Sequence, residues 1–223
     1  MADFPFQIVG FDLDGTLLDT QADLGAAVNH ALSLIARPPV PPEIVRDLIG
    51  GGAKMMLERA LRLTGGIPDS GFDDLYHALL TYYERHIAVF TRLFDGGLVM
   101  LDALTAQRVQ LAVVTNKFES LARQVLDELG LTHYFYTVIG GDTLGKGRAK
   151  PAPDQLFEMI ARAPITGRAA YVGDTTFDTM AAKNAQIPCI AVRFGFNDKP
   201  AEELGADAII DHFDALLPAL LTL

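Results

Sequence analysis

The chain has almost nothing with which to cross-link itself. Its 223 residues include one cysteine, Cys189, inside the apolar run Ile187-Pro188-Cys189-Ile190-Ala191-Val192. A lone thiol closes no internal disulfide, and a buried structural cysteine is the favoured reading. His30, His77, His86, His133 and His212 are scattered, with no HxxxH-type pair, which argues against zinc and leaves them as surface or interface residues. No Lys/Arg cluster occurs, and the formal charge is −10, so a nucleic-acid footprint is not expected. An acidic chain can still bind phosphate through a local cation, a few placed lysines or helix N-termini. No uncharged apolar run reaches the roughly 18 residues of a membrane span. The start carries Asp3 and has no basic segment leading into an apolar one, so it does not read as a secretion signal. A soluble, cytoplasmic protein with no membrane partner is the expectation. Internal repeats and low-complexity tracts are absent, and oligomeric state has no signature here.

What is present is apolar patterning of two kinds. Half of the residues are hydrophobic, enough for one large domain or a domain with an insertion. Gln7 to Asp12 reads as a buried strand. From about Asp19 to Ala36 the pattern turns helical, with Leu24, Ala27, Val28, Ala31, Leu32 and Ile35 on one stripe. Thr20 with Asp23 resembles a capping box with Asp in place of Glu. Three more helices are predicted at Glu43–Ile49, Ala53–Leu63 and about Phe72–Phe90, the first two separated by Gly50-Gly51-Gly52. Beyond about Leu98, apolar strands at Leu111–Val114, Thr137–Ile139, Ala169–Val172, Pro188–Val192 and Ala208–Ile210 alternate with helical stretches such as Ser120–Leu129 and Pro153–Ala163. That alternation predicts an α/β fold, a Rossmann-like parallel sheet with helices on both faces. The expected organisation is a core of residues 1–17 and 92–223, interrupted by a small all-helical block at 18–91.

Polar residues gather where strands finish. The first strand runs into Asp12-Leu13-Asp14-Gly15-Thr16, the second core strand into Thr115-Asn116-Lys117, and Ala169–Val172 into Gly173-Asp174 with Asp178 four residues on. Lys150-Pro151 precedes a helix. Carboxyl ends of parallel strands are where open α/β sheets place ligands. Asp12 and Asp14, two apart in extended chain, would face one side about 7 Å from each other and repel unless something positive sat between them. Each residue also has an ordinary reading. Asp-Gly is common turn chemistry; Thr115 could cap a helix; Asp178 could favour a helix dipole; Lys150, Lys117 and Lys54 could be solvated.

Taken together, Asp12-Leu13-Asp14-Gly15-Thr16, Thr115-Asn116, Lys150-Pro151 and Gly173-Asp174…Asp178 resemble the four ordered motifs of the haloacid dehalogenase superfamily. The helical block resembles that superfamily's first class of small cap. Ile49-Gly50-Gly51-Gly52, Thr115-Asn116-Lys117 and Val172-Gly173-Asp174-Thr175 are similar to its phosphoglycolate phosphatase-like branch. The resemblance implies Mg²⁺-dependent phosphoryl transfer from a small phosphorylated metabolite. Asp12 would be the nucleophile, forming an aspartyl-phosphate. Asp14 would act as acid, then base. Asp12 and Asp174 would bind Mg²⁺ through side chains and Asp14 through its backbone carbonyl, with Asp178 orienting water or Lys150 rather than touching the metal. Thr115 and Asn116 would hold phosphate oxygens, and Lys150 would neutralise transition-state charge. In the cap, Gly51, Gly52 and Lys54 are the candidates for a substrate carboxylate, which suits 2-phosphoglycolate. A sugar phosphate, nucleotide or pyrophosphate stays open as substrate, as does a phosphomutase reaction. The basic segment Gly145-Lys146-Gly147-Arg148 could place a second cation near the site. Dehalogenation fits less well, because it has no use for Asp14 or Mg²⁺. A non-enzymatic binding module fits poorly, because no carboxylate of the pattern is missing.

Overall fold

In the computed structural model, which describes residues 4–223 and so leaves Asp3 outside, Ile8–Phe11 forms the first strand (β1), buried along its whole length. A short strand, β2 (Leu18–Asp19), leads into helices α1 (Gln21–Ser33), α2 (Pro42–Val45), α3 (Ala53–Leu63) and α4 (Phe72–Arg85). The chain returns through β3 (Arg92–Leu93), which pairs antiparallel with β2, Leu18 opposite Leu93 and Asp19 opposite Arg92. Then follow α5 (Gly97–Ala106), β4 (Gln110–Val114), α6 (Glu119–Glu128), β5 (Phe135–Ile139), α7 (Asp154–Arg162), β6 (Ala169–Gly173), α8 (Thr176–Ala185), β7 (Cys189–Val192), β8 (Ala208–Ile210) and α9 (Leu216–Thr222). The six long-sheet strands lie in the order β5-β4-β1-β6-β7-β8, and every pair is parallel.

The central strand is apolar without a break because both faces of the sheet are covered. Val9 and Phe11 pack with the helices of one face, through Leu101 and Leu104 of α5, Val125 of α6 and Leu216 of α9. Ile8 points the other way and packs with Leu156 and Met159 of α7 and Ala181 of α8. The absence of a side chain at Gly10 lets α7 come close, since a Cβ there would overlap the Met159 sulfur. Cys189 is buried in this second layer, as expected of a structural thiol. No helix among the described residues is long and apolar enough to cross a membrane.

Three readings of the helical block need correction. Thr20 precedes α1, but its side chain makes no capping bond. Asp23 is instead turned inward and accepts hydrogen bonds from the backbone N–H of Phe90 (3.0 Å) and Thr91 (2.8 Å) and from the Thr91 hydroxyl (2.7 Å). α4 ends at Arg85 rather than Phe90, because His86 leaves the helical conformation (φ −131°, ψ 38°), and the Phe90 N–H is then given to Asp23 rather than to a helical ladder. The helix predicted over Glu43–Ile49 is one α-helical turn followed by a 3₁₀ turn over Arg46–Leu48, closed by Ile49 in extended conformation.

Candidate active site

β4, β1 and β6 are neighbours, so their carboxyl ends bring Thr115, Asp12 and Asp174 to one edge of the sheet. The loop before α7 adds Lys150. Its ammonium is buried and donates to the Val114 carbonyl (3.1 Å), the Tyr171 hydroxyl (2.8 Å) and Asp178 Oδ1 (2.6 Å). It also lies 2.9 Å from Asp12 Oδ1. Burial alone would lower the Lys150 pKa; Asp12 and Asp178 outweigh it, and the ammonium is held charged. Gln155 fixes the loop: its oxygen accepts from the Lys150 N–H (3.0 Å), and its amide donates to the carbonyls of Thr115 (3.0 Å) and Gly140 (2.8 Å).

Asp178 is bonded both to the start of α8 and to Lys150. Its Oδ2 accepts from the Thr175 N–H (2.9 Å) and hydroxyl (2.7 Å), forming the capping box of α8, while Oδ1 holds Lys150. Asp174 Oδ1 accepts from the Thr16 hydroxyl (3.0 Å) and Oδ2 from the Phe196 N–H (2.7 Å). Gly15, which starts the turn after Asp14, has φ of +86° and leaves no room for a side chain against Asp174.

This set fits a divalent cation. Carboxylate oxygens of Asp12, Asp174 and Asp178 lie within 4.8 Å of one another, all three residues buried. Asp12 Oδ1 is enclosed yet has no well-directed hydrogen bond. Burial pushes the Asp12 carboxyl up to about 6, Lys150 opposing and Asp178 adding to the rise. Burial also raises Asp174 well above the usual carboxylate range, with Asp178 and Asp12 contributing. Acids left so uncomfortable by their surroundings, offering oxygen donors only, match a hard cation such as Mg²⁺.

Asp14 stands apart. Its carboxylate faces Lys117, whose ammonium lies 2.9 and 3.0 Å from the two oxygens. Lys117, whose site role was left open by the sequence, is only 8% exposed. Burial would lower its pKa, but Asp14 outweighs that and holds it charged. So each acid of the Asp12/Asp14 pair has its own lysine, in place of one shared positive group. The Lys117 ammonium also sits 4.5 Å from the ring centroid of Tyr83, which reaches over from α4. Thr115 is not a helix cap, since α6 begins after Phe118; its hydroxyl accepts from the Lys117 N–H (3.2 Å).

The helical block closes over this edge. The Asn116 amide donates to the carbonyls of Gly50 (3.2 Å) and Lys150 (3.1 Å), joining the glycine loop to the core. Gly52 (φ +84°) starts α3 in a conformation that other residues rarely adopt, directly above the Asn116 carbonyl. Arg46 donates to the Gly195 carbonyl, and Gln124 to that of Glu84 (3.0 Å). Between the layers lies a cavity of about 400 Å³, with Asp12, Asp14 and Lys150 on the core side and Met55, Tyr76 and Leu80 on the helical side. Gly51 and Gly52 line it. Lys54 lines it too but is exposed, its ammonium 5.6 Å from the Phe72 ring. Arg148 turns away to Asp154 (2.6 Å) and Lys146 is exposed, so neither is the second cation of this site. None of the histidines lines it; the rings of His30 and His86 stack on Tyr82 instead. Tyr83, Tyr171 and Gln155 were missed by the sequence reading, because each sits in an apolar or helical pattern that reads as packing.

Residues 9–192 match the model of the haloacid dehalogenase-like hydrolase family. The phosphoglycolate phosphatase of Agrobacterium fabrum is 41% identical over 212 residues, covering 94% of this chain and 90% of that protein. The phosphoglycolate phosphatase of Pseudomonas fluorescens is 37% identical, covering 98% of this chain and 82% of that protein. A solved structure from Haemophilus somnus, described as a predicted phosphoglycolate phosphatase, superposes with a TM-score of 0.88 at 29% identity, over 96% of this chain and 98% of that one. With four motifs gathered at one sheet edge and a family match across most of its length, the chain belongs to the haloacid dehalogenase-like hydrolases.

Proposed function

We propose that this hydrolase removes phosphate from 2-phosphoglycolate through an aspartyl-phosphate on Asp12, with residues 18–91 as its cap. The chain is an enzyme, a phosphoric monoester hydrolase. The observation that carries the finer reading is the gathering of the Asp12, Asp174 and Asp178 carboxylates within 4.8 Å of one another, with the buried Lys150 ammonium held between Asp12 and Asp178. The names of the relatives support the substrate.

In the first step an Asp12 carboxylate oxygen attacks phosphorus, the ester P–O bond breaks, and Asp14, entering the step as the protonated acid, gives the leaving alkoxide its proton and is left as a carboxylate. In the second, water attacks the same phosphorus, Asp14 takes its proton, and the acyl-phosphate bond breaks to return Asp12 and release inorganic phosphate. Lys150 holds phosphate charge and Asp178 holds Lys150. Thr115 and the Asn116 backbone bind phosphate oxygens. Gly51, Gly52 and Lys54 face the leaving group. Asp12 and Asp174, with the Asp14 carbonyl, would hold Mg²⁺, which supplies charge neutralisation to the transferring phosphoryl group.

The test is phosphate release from 2-phosphoglycolate by purified protein. Release should stop with EDTA and return with Mg²⁺. Asp12→Asn should lower kcat by at least about 10³-fold. Turnover that survives either treatment, or no turnover of 2-phosphoglycolate, would overturn the reading.

A further inference from the structure

Tyr83 is the one buried tyrosine that leaves its hydroxyl unpaired among the described residues. It is 2% exposed and lines the cavity, and its oxygen makes no well-directed hydrogen bond; its polar neighbour is the Lys117 ammonium, which is itself committed to Asp14. Tyr171, equally deep, bonds the Val114 carbonyl (2.6 Å) and receives Lys150. Phenylalanine would fill the Tyr83 site without enclosing an idle polar atom. Burial keeps the Tyr83 hydroxyl up at about 12, so it remains a donor.

Position adds a direction. Asp12, Asp174, Asp178 and Lys150 occupy the phosphate side. Asp14, the acid for the leaving oxygen, is held by Lys117, and Lys117 packs against the Tyr83 ring. Whatever is bonded to that leaving oxygen enters the space beyond Asp14, where Tyr83 stands. Lys54 is at the exposed rim and is suited to attracting an anion rather than gripping one.

We propose that the Tyr83 hydroxyl is a specificity-determining donor that bonds an oxygen of the leaving group, the carboxylate in the case of 2-phosphoglycolate. This rests on the proposed function and assigns a part of the substrate to a residue of α4. Leaving groups with no acceptor at that place would leave the hydroxyl without a well-directed bond and lose the preference.

The experiment compares kcat/KM for 2-phosphoglycolate and for ethyl phosphate, which lacks the carboxylate. The wild-type chain should favour 2-phosphoglycolate at least about tenfold. Tyr83→Phe should reduce that ratio by roughly 10–100-fold, mainly through KM for 2-phosphoglycolate. Tyr82→Phe, one residue away on the stacked face, should keep the ratio. A wild-type preference retained in Tyr83→Phe overturns the Tyr83 assignment and leaves the phosphatase reading standing. A wild-type chain with no preference for 2-phosphoglycolate over ethyl phosphate overturns the Tyr83 assignment without any variant, whereas no turnover of 2-phosphoglycolate at all overturns the proposed function.

Discussion

Asp12 and Asp14 are two residues apart, yet they belong to differently built halves of the cavity. Around Asp12 every partner comes from the core: Lys150, Asp178, Tyr171 and Asp174, knitted to strand ends and to the cap of α8. Around Asp14 the environment is shared. Lys117 comes from the core, but the ring that covers it belongs to α4. The surroundings of Asp12 are therefore built by the core alone, whereas those of Asp14 need the helical block as well. On the proposed function, electrostatic preorganisation is a property of the first half, and exclusion of water and choice of substrate depend on the second.

The contrast can be broken at three places. Lys150→Met should have the largest effect, lowering kcat by about 10²–10³-fold and destabilising the fold by about 3–5 kcal/mol, since it strands buried acids without their counter-charge; kinetics and urea unfolding read the two losses. Lys117→Met should come second, with kcat down about 10–100-fold and a smaller shift in the urea midpoint, because Asp14 already keeps some contact with water. Equal destabilisation by the two variants would erase the distinction between the halves. Lys54→Ala should be smallest, a KM rise of roughly 2–5-fold for 2-phosphoglycolate that shrinks with added salt, as expected for an exposed charge. A salt-independent loss of kcat would instead put Lys54 inside the chemistry.

The core was legible because its signals are local. Apolar runs ending in Asp12, Thr115 and Asp174 mark buried parallel strands, and neighbouring strands must deliver those ends to one edge. What escaped depends on tertiary direction. Lys117 follows Thr115-Asn116, and nothing in its neighbours says whether it turns out to water or in to Asp14. Tyr83 shares an apolar stripe with Leu75 and Leu79, so its hydroxyl is invisible to periodicity. Asp23 sits where a capping acid belongs, and only the return of the chain at Phe90 and Thr91 reveals its other employment.

The ribbon of Leu18–Asp19 against Arg92–Leu93 has an architectural consequence. The intervening segment leaves and rejoins the sheet through one doorway, with Asp23 bolting the jambs together. Lineages can therefore lengthen, shorten or replace that segment as a cassette without re-registering a single strand of the catalytic sheet, so chemistry and selectivity are free to evolve on separate schedules.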